Sequence, residues 1–237
     1  MRRIVLSLLA VTLFGCAEMQ QVMGQFPQGT TSGIGQLDIA KGLKEALDKG
    51  ISEQVSKLTA TDGFFKNEAV KILLPDELQK VDKKLRQIGL SSLADEGIKV
   101  LNRAAEDAVK EATPIFVDAV KQMSFKDAKN ILMGDNTAAT SYLQNATSTA
   151  LYTKFNPVIK NSFAKVGADK VWTNIITKYN AIPFVSKVNP NLTDYTTNKA
   201  MEGVFTMIAV EEKDIRGNFS ARSTDLLQKV FAMQDKK

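Results

Sequence analysis

From residue 39 onward the apolar side chains recur at steps of three and four. Ile39, Leu43, Leu47, Ile51, Val55 and Leu58 form one such stripe, and Ala94, Ile98, Leu101, Ala105, Ala108, Ala112, Phe116, Ala119 and Met123 form a second. Side chains spaced in this way share one face of a helix, and the alternation a strand would need is missing. The fold class expected is all-α.

The breaks between stripes divide the chain into helices. Thr61-Asp62-Gly63 ends the first, and Pro75-Asp76 opens a second carrying Leu78, Val81, Leu85 and Ile88, closed by Gly89. Pro114 has no N–H and clashes with the preceding turn, which predicts a kink or break near residues 110–113. Ser124 with Asp127 has capping-box spacing, starting a short helix through Leu132 that Gly134 closes. Asn136-Thr137 is expected to cap the next helix, with Tyr142, Leu143 and Ala146 inward. Asn156-Pro157 is expected to begin another, ending at Gly167. Val171, Trp172, Ile175, Ile176 and Tyr179 make a further stripe, followed by a long connection at 181–191. Thr193 is read as the cap of a helix to Arg216, and Ser223 as the cap of a last one through Phe231. The expectation is an irregular multi-helix bundle forming a single domain over residues 37–237.

The N-terminus has a different character. Met1-Arg2-Arg3 precedes an almost uncharged apolar run from Ile4 to Phe14, the layout of a secretory signal and too short to span a bilayer. Leu13-Phe14-Gly15-Cys16 resembles the bacterial lipobox, with Phe14 where that pattern has a small residue. The resemblance implies cleavage after residue 15 and lipid attachment at Cys16, hence a membrane partner through the anchor. The other reading is an ordinary signal peptide with an incidental cysteine. No Asp follows Cys16, which by analogy with lipoprotein sorting implies a bacterial envelope address at the outer membrane, facing the periplasm. Residues 16–36, rich in Gln and Gly, read as a flexible tether.

Composition removes several kinds of chemistry. The chain has no His and one Cys, so imidazole catalysis and an internal disulfide are excluded, and lipidation of Cys16 would also remove the thiol. The formal charge of +5 falls to +3 once Arg2 and Arg3 are cleaved, too little to argue nucleic-acid binding. No Walker or Rossmann glycine pattern occurs, and no cofactor or metal is expected.

Seven blocks carry a wider resemblance: Gly42-Leu-Lys-Glu-Ala-Leu47, Asp62-Gly-Phe-Phe65, Leu74-Pro75, Asn102-Arg-Ala-Ala-Glu106, Met123 through Leu132, Tyr179-Asn-Ala-Ile-Pro-Phe184 and Leu192-Thr-Asp-Tyr195. Together, over about residues 37–231, they resemble a family of bacterial envelope proteins classified only as a domain of unknown function. What this implies is a helical, lipoprotein-like envelope domain with no activity attached.

Ser162-Phe-Ala-Lys165 has the Ser-x-x-Lys spacing of a serine nucleophile beside a lysine base, but the Ser-Asp-Asn and Lys-Thr-Gly elements that accompany it in penicillin-binding enzymes are missing. The bland alternative is that Phe163 packs while Ser162 and Lys165 face solvent. The adjacent acids Asp76-Glu77, Asp95-Glu96, Glu106-Asp107 and Glu211-Glu212 diverge by about 100° on a helix and are read as solvated faces and first-turn charges. No catalytic residue is assigned.

Residues 131–190 hold six Lys against two Asp, together with seven of the seventeen aromatics. Aromatic faces beside ammonium groups suit hydrophobic or anionic ligands or an acidic protein surface. The candidate ligand-binding residues are Tyr142, Tyr152, Trp172, Lys178, Tyr179, Lys187, Asp194 and Tyr195. The leading expectation is a non-catalytic, lipid-anchored module binding a hydrophobic or anionic envelope ligand or a protein partner. A structural scaffold and a His-independent hydrolase acting on envelope polymers are the alternatives.

Overall fold

In a computed structural model, the structure describes residues 35–75, 91–170 and 191–235, together with residues 79, 83, 86, 87, 89, 173, 177, 180, 181, 183, 184 and 187. The expected signal peptide, Cys16, nearly all of the tether, and most of the expected helices after Pro75 and Val171 lie outside them. Seven α-helices are described: α1 Gln36–Thr59, α2 Ser91–Val109, α3 Ala112–Gln122, α4 Phe125–Leu132, α5 Ala138–Val166, α6 Leu192–Gly217 and α7 Asp225–Phe231, with a 3-10 turn at Phe219–Ala221. There is no strand among the described residues.

Every member of the first stripe from Ile39 to Leu58 is buried, and α1 uses that face against α2, α3, α4, α6 and α7. The most extensive helix pair is α5 with α6, and α2 lies against both. Phe64, Phe116, Phe155 and Phe163 are fully enclosed, with Phe116 and Phe205 edge to face at 6.0 Å between ring centres. Burying a ring of this size stabilises by roughly 1.5–3 kcal/mol. Ile34–Lys237 form one compact unit.

Pro114 acts as expected: α2 stops at Val109 and α3 starts at Ala112, leaving Pro114 in the first turn where its missing N–H is harmless. Ser124 and Asp127 form the expected capping box, at 3.2 Å from the Asp127 N–H to Ser124 Oγ and 3.0 Å from the Ser124 N–H to Asp127 Oδ2. The turn after α1 depends on glycine, because a Cβ at Gly63 would lie 2.3 Å from the Lys57 carbonyl oxygen. Its neighbour Asp62 adopts a left-handed φ of 68°.

Several expected boundaries move. Asn156-Pro157 does not start a helix, since α5 runs from Ala138 to Val166 straight through Pro157. Its buried face, Leu143, Thr147, Leu151, Phe155, Ile159 and Phe163, continues unbroken past the proline, and that packing outweighs a local penalty of about 3 kcal/mol. Gly167, at φ 69°, does end the helix. Ala146 is exposed and Thr147 takes the inward position, its hydroxyl donating to the Leu143 carbonyl at 2.6 Å.

At α6 the cap is Asn191, whose Oδ1 accepts from the Asp194 N–H at 2.9 Å, while the Thr193 hydroxyl is turned to Asp169. At α7 the cap is Thr224, and Ser223 instead accepts from Lys49 at 2.6 Å. Gln36, placed at the end of the tether from sequence, already belongs to α1.

Gly203 lets α6 approach the turn after α1, since a Cβ there would sit 2.7 Å from Cε1 of the enclosed Phe64 ring. Gly203→Ala is expected to destabilise the domain by about 1–3 kcal/mol through overpacking, read as a lower urea midpoint with an unchanged slope.

Candidate functional site

The chain between the α1 turn and Pro75 is held from two sides. Asn102, fully buried on α2, accepts the Ile72 N–H at 2.8 Å and donates to the Ile72 carbonyl at 2.8 Å, with a further bond to the Ile98 carbonyl. On the other side the Tyr195 hydroxyl donates to the Leu73 carbonyl at 2.8 Å. Glu106, one turn beyond Asn102, accepts from the backbone N–H of Phe64 at 3.1 Å. Arg103 bridges Glu106 and Asp62. Hydrogen bonds from Lys66, with the Arg103 charge beside it, hold the Asp62 carboxyl below its ordinary range.

This pinned segment and α6 enclose a cleft of about 530 Å³. Its apolar walls include Val70, Ile72, Leu73 and Leu74, and its charged members are Lys71, Lys187, Lys199 and Glu202. Lys199 pairs with Glu202 at 2.7 Å, and Lys71 lies over the Phe65 ring with Glu68 at 3.6 Å. The lining therefore carries more ammonium than carboxylate around an apolar floor. That combination suits a ligand with an anionic end and an apolar body.

The described aromatic candidates do not share one groove. Tyr195 and Lys187 line the 530 Å³ cleft. Tyr152 donates to Asp194 at 2.6 Å and stands beside Asn156, which also reaches Thr197. The hydrogen bond to Asp194 raises the Tyr152 hydroxyl above its ordinary value, so it remains a donor. A polar cleft of about 390 Å³, lined by Asn156, Lys160, Asp169 and Thr193 among others, adjoins this network.

Tyr142 is elsewhere, lining a small cleft against α3, where its hydroxyl lies 3.4 Å from the Ala119 carbonyl. Burial, then the nearby Asp127 charge, pushes its hydroxyl up. Trp172, Lys178 and Tyr179 lie outside the described residues, as does Cys16.

The segment 69–75, Asn102, Lys199 and Glu202 were missed from sequence. Their signal was an Asn and a Glu four residues apart on the apolar face of α2. The adjacent acids need a correction. Glu106 and Glu212 are buried rather than solvated, because a helix turns one member of each pair inward.

Glu212 accepts from the Ala139 and Thr140 N–H groups at 2.8 Å each and from Arg216 at 2.8 Å. Carboxylates committed in this way hold helices together. Ser162 is half-buried and Lys165 exposed, with Phe163 enclosed between them. Among the described residues no group of three His, Cys, Asp or Glu side chains is placed to hold a metal, and no helix is long and apolar enough to cross a membrane.

Fold and cleft together define an all-helical bundle with an open, cation-rimmed cleft between an extended segment and one long helix. The chain belongs to the DUF4197 family of proteins of unknown function, whose model matches residues 33–232. No curated protein and no solved structure matches it.

Proposed function

We propose that this protein is a non-catalytic binding module held on the bacterial envelope by lipid at Cys16, facing the periplasm from the outer membrane. Its ligand or partner is anionic and partly apolar. The observation that carries this reading is the 530 Å³ cleft, where exposed Leu73 and the apolar wall lie within a rim that includes Lys71 and Lys187. The lipobox-like residues ending at Cys16 support the address, and the absence of His with the commitment of the buried carboxylates to backbone N–H groups supports a role in binding.

Dodecyl phosphate, an anionic head on an apolar chain, is the test probe. Titrated by calorimetry into the mature chain, it is expected to bind, and Lys187→Glu is expected to weaken it about tenfold, the effect of roughly 1.4 kcal/mol for one charge reversal at a partly desolvated rim. Binding of equal strength in both proteins would overturn the assignment of this cleft. Intact-mass measurement of the protein from its own envelope would show the acyl chains on Cys16, and an unmodified thiol would remove the anchor.

A further inference from the structure

We propose that the cleft receives an extended, acidic peptide segment of a partner protein, which pairs main chain to main chain with Leu73. This rests on the reading of the cleft as an anion-binding site and narrows it to one class of partner. Ile72 presents both its N–H and its carbonyl to the single carboxamide of Asn102, which an extended residue does and a helical one does not. In an extended chain the next residue faces the opposite way, so the Leu73 N–H and carbonyl point away from α2. The Leu73 carbonyl accordingly meets the Tyr195 hydroxyl, and both residues line the cleft. The Leu73 N–H meets no acceptor among the described residues, and Leu73 is 49% exposed.

A main-chain donor of this kind beside an open cleft is what an added strand pairs with. Asn102 holds the inner edge and so plays the part of a neighbouring strand. Pro75 limits the pairing to a short stretch, since it has no N–H to offer. Specificity then falls to side chains, where the rim supplies the selection. Lys199 is already matched by Glu202 at 2.7 Å. Lys71 is shared with Glu68 at 3.6 Å, so the rim's surplus positive charge resides chiefly on Lys187, whose complement is a peptide carboxylate.

The test is selection of random ten-residue peptides displayed on phage against the immobilised mature chain, followed by synthesis of the most enriched sequence. Enriched peptides are expected to be acidic and rich in β-branched residues. Leu73→Pro removes the donor while leaving Ile72 in the extended conformation that a following proline favours. It is expected to weaken the synthetic peptide at least tenfold, with the thermal midpoint held near that of the parent.

A second arm leaves the protein unchanged. N-methylation of alternate peptide amides is expected to abolish binding in one register and spare it in the other. Failure to enrich any acidic peptide, or indifference to both Leu73→Pro and N-methylation, would overturn strand pairing. Dodecyl phosphate separates the two readings, because it has no main chain to pair with Leu73 and its binding should depend on Lys187. If it does so while peptides fail, the anion cleft stands without the peptide; if it too is indifferent to Lys187→Glu, both readings fail.

Discussion

Arg216→Met is expected to destabilise the domain by about 3–5 kcal/mol, the range for breaking one side of a buried ion pair. The guanidinium and the Glu212 carboxylate are almost fully enclosed, 2.8 Å apart. Arg216 also donates to the Ile131 carbonyl at 2.7 Å and the Leu132 carbonyl at 3.1 Å, the last two residues of α4. Glu212 accepts the Ala139 and Thr140 N–H groups in the first turn of α5. The pair thus places a cation at the negative end of one helix and an anion at the positive end of the next, giving both sets of orphan backbone groups a partner. Methionine fills the volume but leaves the carboxylate without its cation, the Leu132 carbonyl without the Arg216 donor and the Ile131 carbonyl with only backbone N–H such as that of Gly134.

In a domain of this size the loss corresponds to a thermal midpoint lower by roughly 6–20 °C. Arg216→Lys should lie between the parent and Arg216→Met, since an ammonium keeps the charge but cannot reach carboxylate and carbonyls together. Urea melts with equal slopes in which Arg216→Met loses under 1 kcal/mol would refute this account of the junction.

The core was legible in sequence because burial follows periodicity. The stripes from Ile39 to Leu58 and from Ile98 to Met123 needed only helical spacing to be recognised, and they are buried apart from the half-exposed Ala119. Polar residues were harder to place, since the same residue types serve as solvent face, cap or buried anchor. Ser223 and Thr224 are both competent caps, and the choice between them depends on where Lys49 arrives from α1. Pro157 read as a helix start because local rules place it there, whereas the continuous stripe on either side overrides them.

Glu106 and Glu212 read as solvated because neither sequence neighbour reveals the backbone donors, 42 and 73 residues away, that each accepts from. The cleft was illegible for the same reason. It joins residues 69–75 to residues 195–206, and nothing local to either segment signals the other. Tyr195 and Lys187 stand out in sequence for their ring and charge, and the structure places both there, with Tyr142 and Tyr152 elsewhere.

Asn102→Ala is expected to cost about 2–4 kcal/mol, because the buried N–H and carbonyl of Ile72 lose their partner together and alanine offers none. The damage should be local first. Hydrogen exchange at Ile72 is expected to accelerate well before the amides of α5 and α6, since the segment between the α1 turn and Pro75 is otherwise held mainly by single bonds such as Tyr195 to Leu73. The cleft wall loosens with it, so dodecyl phosphate should bind more weakly to this variant although Asn102 is not in the lining.

Asn102→Asp gives a sharper test. A carboxylate there would face the Ile72 and Ile98 carbonyls, both of which now accept from the amide, with acceptor against acceptor in a dry site. Burial and these carbonyls would raise the carboxyl's folded pKa above its unfolded value of about 3.9, so the folded state binds the extra proton and this variant's deficit relative to the parent shrinks as pH falls toward that value. The deficit of Asn102→Ala, which introduces no titrating group, should stay constant over the same range. Equal pH dependence in the two variants would mean that the residue 102 side chain does not face those carbonyls, and the extended conformation assigned to Ile72 would lose its support.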